Sequence, residues 1–316
     1  MKNMKKLLCM LLALSMVLAL CACGSSTEEA ATTTEAPAEE AAATEAPAED
    51  AAAEEEVDYS AMTIDELKPL LTTVTEGKLT VATSPDFAPY EFYDIDEDGN
   101  STLAGFDISL AGYIADYLGL ELEVVPMDFD GTIAELASGK ADLGMAGYSP
   151  TPERLEVMDF SMVYITGGQS FVCLQENKDL FTSLEDTNKA EYSIGAQVGS
   201  IQVGLAQENS PEADLVELSK VPDIIAEVLN GKLDGAYIET IVAESYAKNY
   251  PELCVVLPVP YDAEGSVVGI TKGNAPLVAA VNLAIQDCLD SGTFDSYVYE
   301  ANEQAAGDIY EGLIEE

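Results

Sequence analysis

Glu135-Leu136-Ala137-Ser138-Gly139-Lys140-Ala141-Asp142 returns ninety-two residues later as Glu227-Val228-Leu229-Asn230-Gly231-Lys232-Leu233-Asp234. Each copy closes a helical pattern with a glycine, the residue that most readily takes the left-handed conformation at a helix end, and then feeds an apolar run. One helix-Gly-Lys-x-Asp-strand unit is a weak signal, because any αβ turn can use it. Two copies at matching places predict two α/β units of similar plan.

The flanking sequence supports that plan. From Gly77, short β-rich runs at Leu79–Ala82, Glu121–Pro126 and Ala141–Ala146 alternate with helical patterns at Ile108–Leu118 and Ile133–Ala137. Such alternation is the signature of βαβ units on a largely parallel sheet. The Ile108 helix gathers Ala111, Ile114, Ala115 and Leu118 on one face and stops at Gly119. A second series of strands is expected at Tyr192–Ala196, Leu215–Leu218 and Leu233–Ile238. The tail offers a strand at Val267–Thr271 and helices at Pro276–Leu289 and Phe294–Gln304, which suit a return to the first unit. The chain then crosses between units twice, near Ile165–Ser170 and near Tyr261–Val267. Ligands of α/β sheets sit at the carboxyl ends of strands, so a hinged cleft is expected between lobe 1 (61–168 and 266–316) and lobe 2 (169–265).

The start of the chain reads as an address. Three lysines within Met1–Lys6 precede a fourteen-residue apolar run, Leu7–Leu20, and then Cys21-Ala22-Cys23-Gly24. The run is short for a membrane span, and a positive start with a small-residue exit is the layout of a secretory signal, here residues 1–22. Residues 27–56 consist almost entirely of Ala, Thr, Glu, Asp and Pro, with eleven acids and an E-A-P-A-E unit at Glu35 and again at Glu45. That composition cannot bury enough apolar surface to offset its ordering entropy, so residues 23–60 are expected to be a disordered acidic tether, an Ala/Glu-rich helical stalk being the alternative. Beyond Cys23 the cysteines are Cys173, Cys254 and Cys288, scattered at no ligand spacing. They read as buried small hydrophobes, with a Cys173 to Cys254 bridge as the competing possibility.

Composition excludes several functions. A formal charge of −45 opposes binding to nucleic acid phosphates or electrostatic docking on anionic lipid. The chain has no histidine, which removes imidazole metal sites and histidine general bases. No metal and no cofactor is expected. Among thirteen basic residues only Arg154 is arginine. Arginine alone presents a planar fork to a carboxylate. It follows Gly147-Tyr148-Ser149-Pro150-Thr151-Pro152-Glu153, in which Thr151 is a good N-cap and Pro152 suits the first helical position. Arg154 in the first turn of a helix, beside Ser149 and the free N–H groups of the turn, makes a carboxylate receptor. The bland alternative is pairing with Glu153 or Glu156 on the surface.

An ordered series of motifs now resembles a known family. Asp86-Phe-Ala-Pro-Tyr-Glu-Phe92, Leu103-Ala-Gly-Phe-Asp-Ile108, Asp128-Phe-Asp-Gly131, Gly139-Lys-Ala-Asp142, Thr151-Pro-Glu-Arg154 and Asp159-Phe-Ser161 are similar to the motif series of the family 3 extracellular solute-binding proteins, the polar amino acid binders. The resemblance spans about Gly77 to Gly307. It implies the type II periplasmic-binding-protein fold, two α/β lobes joined by a two-crossing hinge. It also implies delivery of an amino acid to the permease of an ABC importer, by a protein expected to be a monomer. Likewise the Leu20-Cys-Ala-Cys-Gly24 ending resembles the bacterial lipobox, which implies lipidation of Cys23 and anchoring on the extracytoplasmic face of the membrane. An ordinary signal peptide is the runner-up.

By position, the resemblance makes Arg154 the grip on the ligand carboxylate, with Ser149 and the backbone at Gly147. Phe87 and Phe129 match the aromatic pair that sandwiches the ligand side chain, core packing being the alternative for each. Gly199, Ser200 and Gln202 belong to the loop that completes the carboxylate site from lobe 2, and Glu239 falls where the family places the acid that takes the ammonium. Three positions depart from the pattern. Glu239 is one methylene longer than the usual aspartate, Ile201 replaces a polar residue, and Ser84 stands where binders of cationic amino acids place an acid, which weakens lysine or arginine as ligand. Two other functions compete with binding: a dehydratase-like enzyme of the same fold, and a surface sensor or adhesion protein.

Overall fold

The computed structural model describes residues 57–95, 98–263 and 265–305. The signal segment, Cys23 and the acidic stretch to residue 56 lie outside the described residues. Residues 57–60, assigned to the tether by composition, are described: Tyr59–Ala61 form a single 3-10 turn, with Asp58 accepting from the Ser60 amide at 3.1 Å.

A one-turn helix α1 (Ile64–Leu67) leads into β1 (Lys78–Thr83). A small antiparallel sheet follows, β2 (Asp86–Phe87), β3 (Glu91–Ile95) and β4 (Ser101–Ala104). Next come α2 (Phe106–Leu118), β5 (Glu121–Pro126), α3 (Phe129–Ala137), β6 (Leu143–Tyr148), the single turn α4 (Pro152–Leu155) and β7 (Met158–Ile165). After residues 166–168 the chain builds β8 (Gln169–Leu174), β9 (Ser193–Gln197), α5 (Ile201–Asn209), β10 (Asp214–Leu218), α6 (Val221–Leu229), β11 (Gly235–Glu239), α7 (Thr240–Asn249) and β12 (Leu253–Val259). It returns through β13 (Ser266–Thr271), α8 (Ala275–Asp290) and α9 (Thr293–Gln304).

The two large sheets share one plan. The first runs β5-β1-β6-β13-β7 and the second β10-β9-β11-β8-β12. In each, the first three strands are parallel and the fourth lies antiparallel to both of its neighbours. That fourth strand is the one reached directly after a crossing, β13 in the first sheet and β8 in the second. The first crossing, residues 166–168, follows β7, and the second follows the end of β12 at Val259.

The duplicated octapeptide has the same geometry in both lobes. Gly139 and Gly231 both sit at φ 67°. The Lys140 amide donates to Glu135 O at 3.0 Å, as the Lys232 amide donates to Glu227 O at 2.9 Å. Asp142 then accepts from the Thr80 amide at 2.8 Å, and Asp234 from the Ser193 amide at 2.8 Å. The terminal aspartate therefore ties the helix exit to the first residues of the neighbouring parallel strand.

Burial follows the helical periodicity. On α2, Ala111, Ile114, Ala115 and Leu118 are buried together with Phe106 and Leu110, and Gly119 ends the helix at φ 75°. Helices α8 and α9 pack back onto α2 and, for α8, onto β7. Cys173, Cys254 and Cys288 are free thiols, although Cys173 and Cys254 are ladder partners in β8 and β12. Burial pushes Cys173 up to about 12 and Cys288 up to about 11, so both behave as apolar filling. The described residues contain no helix long and apolar enough to cross a membrane and no cluster of metal-ligating side chains.

Candidate functional site

The carboxyl ends of both sheets face a cavity of about 20 Å³ between the lobes. Phe87, Phe129, Ala146, Gly147, Ser149 and Arg154 line it from lobe 1, and Gln169, Gln197, Ser200, Ile201, Gln202 and Glu239 from lobe 2. The space suits about one water molecule. Of the ligand residues expected from the sequence, Gly199 alone is not on this wall. It lies in an adjoining cleft of about 930 Å³ that Arg154 also lines.

Arg154 is held by its own lobe and reaches the other. Thr151 caps the turn, accepting from the Arg154 amide at 3.3 Å, and Pro152 stands first in α4. The helix is a single turn, so its dipole adds little; the guanidinium carries the charge. Nη1 donates to Ser149 O at 3.1 Å and Nη2 to Gly199 O at 3.3 Å across the cleft. The fork also lies over the rings of Phe129 and Tyr148, 5.4 and 5.5 Å from their centroids. Arg154 is 8% exposed, and burial draws its pKa below the ordinary arginine value, with Tyr148 and Glu153 opposing. No carboxylate pairs with it among the described residues, neither Glu153 nor Glu156. A buried guanidinium without a counter-ion carries a desolvation cost that a bound anion would offset.

Glu239 is the complementary charge. It ends β11 and caps α7, accepting from the Val242 amide at 3.0 Å, and it accepts from the Gly168 amide of the first crossing at 3.2 Å. It is 4% exposed, and burial pushes its carboxyl up to about 7 against those backbone hydrogen bonds. Among the described residues no lysine or arginine pairs with it.

The aromatic pair is placed by glycine and by a buried carboxyl cluster. Gly147 sits at φ 58°, and a Cβ there would come within 2.8 Å of the Phe87 ring, so both backbone and space require glycine. The Gly147 amide donates to Asp107 at 3.3 Å, and Asp107 also accepts from Tyr164 Oη at 2.7 Å. Beside Asp107 lies Glu91, fully buried, with no donor directed at either oxygen. Burial, then the charge of Asp107, pushes Glu91 well above the usual carboxylate range, and burial pushes Asp107 up to about 6. Two interior carboxyls without a cation favour the neutral form of Glu91, and Asp107 holds the Gly147 turn. Phe87 and Phe129 are both buried in apolar clusters as well as lining the cavity, so packing and site coincide in them.

From lobe 2, Ser200 Oγ donates to Gln197 O at 2.7 Å and Gln202 Nε2 to Gln169 Oε1 at 2.7 Å. Gln169 and Gln197 were not singled out from sequence. Gln197 ends a strand that points at the cleft, which is a usable signal. Gln169 opens β8 directly after the Gly167-Gly168 crossing, and no local pattern marks it.

The sequence profile of the bacterial extracellular solute-binding proteins, family 3, matches residues 79–300. The arginine-binding extracellular protein ArtP of Bacillus subtilis strain 168 is 33% identical over 222 residues, 69% of this chain and 83% of that protein. The cyclohexadienyl dehydratase of Pseudomonas aeruginosa is 29% identical over 187 residues, 59% of this chain and 68% of that enzyme. The crystal structure of the amino acid ABC transporter substrate-binding protein AbpA from Streptococcus pneumoniae, bound to L-arginine, superposes with a TM-score of 0.70 at 35% identity, covering 74% of this chain and 98% of that one. With most of the described fold inside the matched span, the chain belongs to the bacterial extracellular solute-binding proteins, family 3.

Proposed function

We propose that this chain binds a free amino acid between its lobes, outside the cytoplasm, and delivers it to the permease of an ABC importer. One observation carries the reading: Arg154 lacks a carboxylate and Glu239 lacks a cation, and both are buried on the wall of the same interlobe cavity. A zwitterion supplies both missing charges at once. The hydrophobic faces of Phe87 and Phe129 receive its side chain. ABC-transporter relatives support the importer, and the arginine-bound and arginine-binding relatives bring arginine among the ligands to test despite Ser84. The lobes swing about residues 166–168 and 260–265, lobe 1 comprising 61–168 and 266–316 and lobe 2 169–265. Cys23 carries the lipid that keeps the monomer on the membrane.

A thermal-shift screen of the twenty amino acids tests the reading. A true ligand at ~100 times its dissociation constant stabilises by ~2.7 kcal/mol, whereas no shift with any of them would refute amino acid binding. Cys23→Ser should release the protein from the membrane, and a mature terminus found elsewhere and unmodified would refute the anchor. A second reading, catalysis, rests on Glu239: a carboxyl at about 7 in a closed cavity is suited to proton transfer, and one relative is a dehydratase. Its test is product formation from a cyclohexadienyl carboxylic acid, abolished in Glu239→Gln.

A further inference from the structure

Outside the cavity wall, one carboxylate spans the two lobes. Asp86 stands in β2 of lobe 1, and its Oδ1 is fixed by Ser84 Oγ at 2.7 Å. Its Oδ2 accepts two bonds from lobe 2, from Gln197 Nε2 at 3.0 Å and from the Val221 amide at 2.9 Å. Val221 is the first residue of α6. Lys220 occupies the N-cap position of that helix and provides no side-chain cap, while Pro222 has no amide to satisfy. The helix of lobe 2 thus takes a first-turn acceptor from lobe 1. Gln197, held between Asp86 and Ser219 O at 3.1 Å, is itself on the cavity wall. Asp86 is not on that wall.

We propose that Asp86 is a closure latch, a positioning residue that sets how long the ligand is retained by bonding α6 and Gln197 across the cleft without touching the ligand. The proposal rests on the reading that the lobes part and close around an amino acid. When the cleft opens both lobe 2 donors lose Asp86: Gln197 keeps Ser219 O within its own lobe, whereas the Val221 amide has no side-chain cap there, the cap residue being a lysine. Charge matters too. Burial, with a smaller push from Asp128, raises the carboxyl of Asp86 to about 6, and the charge of Lys220 opposes it. The hydrogen bonds from Ser84 and Val221 oppose that rise.

The test uses the full chain with L-arginine as probe. Amide exchange at Val221 is followed by NMR, with the β9 amides as an internal control for the fold, and L-arginine release is followed by stopped flow. Asp86→Ala should accelerate Val221 exchange and L-arginine release by roughly tenfold each, leaving the β9 amides protected. Asp86→Asn, which keeps one acceptor oxygen, should recover part of both effects. Val221→Pro removes the donor at a position where proline suits a helix, and combined with Asp86→Ala it should add little to the release rate. Unchanged Val221 exchange in Asp86→Ala overturns the latch. So does faster exchange with unchanged release, because the contact would then exist without governing retention. Failure of the wild type to bind L-arginine strikes the choice of probe or the proposed function, and the exchange measurement still decides whether the latch forms.

Discussion

At the scale of single residues, the site is a set of buried charges awaiting partners. Glu239 has the clearest consequence. Its carboxyl stands at about 7 in the ligand-free fold, and an ammonium placed against it would lower that value. The stabilisation gained on binding is therefore present above about pH 7 and is lost as pH falls below it, since a proton must first leave. Calorimetry at pH 6.5 in two buffers of different ionisation enthalpy should show proton release on amino acid binding, and Glu239→Gln should abolish it. Absence of proton release in the wild type would remove the ammonium from Glu239. Because Glu239 also caps α7, the same substitution should cost stability by ~1 kcal/mol, so affinity and melting must be read separately. The charged ends of the site were legible because Arg154 is unique in composition and sits in a recognisable capped turn. Gln169 and Gln197 were not, since their positions depend on how the crossing and the second sheet come together.

At the scale of elements, the duplicated octapeptide gave the two-lobe plan and the structure gives its mechanism. Asp142 accepts from two backbone amides, Thr80 at 2.8 Å and Val74 at 2.7 Å, whereas Asp234 accepts from Ser193. Removing a buried acceptor that leaves donors unsatisfied costs ~1 to 3 kcal/mol for each. Asp142→Ala should therefore destabilise the protein more than Asp234→Ala when both are measured by urea unfolding. The reverse order would mean that the two copies do not serve the same structural purpose. Strand and helix positions were legible wherever apolar periodicity was strong, as on α2. Two refinements came from tertiary context: α3 begins at Phe129, four residues before the apolar pattern starts, and α4 ends after one turn because β7 begins at Met158. The small sheet of β2, β3 and β4 was read only as motif sequence, since strands of two to five residues leave no period to count.

At the scale of the molecule, acid burial sets the direction in which stability changes with pH. Burial raises Asp86 and Asp107 to about 6, Glu239 to about 7 and Glu91 further, all above their unfolded values. For a carboxyl raised in the fold, stability is fully present below the unfolded pKa and is lost as pH rises through the folded one. The window here runs from about pH 4 to pH 7, and the formal charge of −45 adds repulsion in the same direction. Glu66, Glu185 and Asp186 are held down by local hydrogen bonds and oppose this trend, but they are solvent-exposed and screened. The ligand-free protein should melt at a higher temperature at pH 5 than at pH 8, and a lower melting temperature at pH 5 would contradict the burial of these acids. The central claim is that one zwitterion joins the two lobes through Arg154 and Glu239, and calorimetry on Arg154 variants tests it most directly with the amino acid found by screening. Removing one partner of a buried charge pair costs ~2 to 5 kcal/mol, roughly 30-fold to several thousand-fold in affinity. Arg154→Ala should show that loss, and Arg154→Lys should be nearly as damaging because an ammonium has no bidentate fork. Binding by Arg154→Ala within threefold of the wild type would contradict the account.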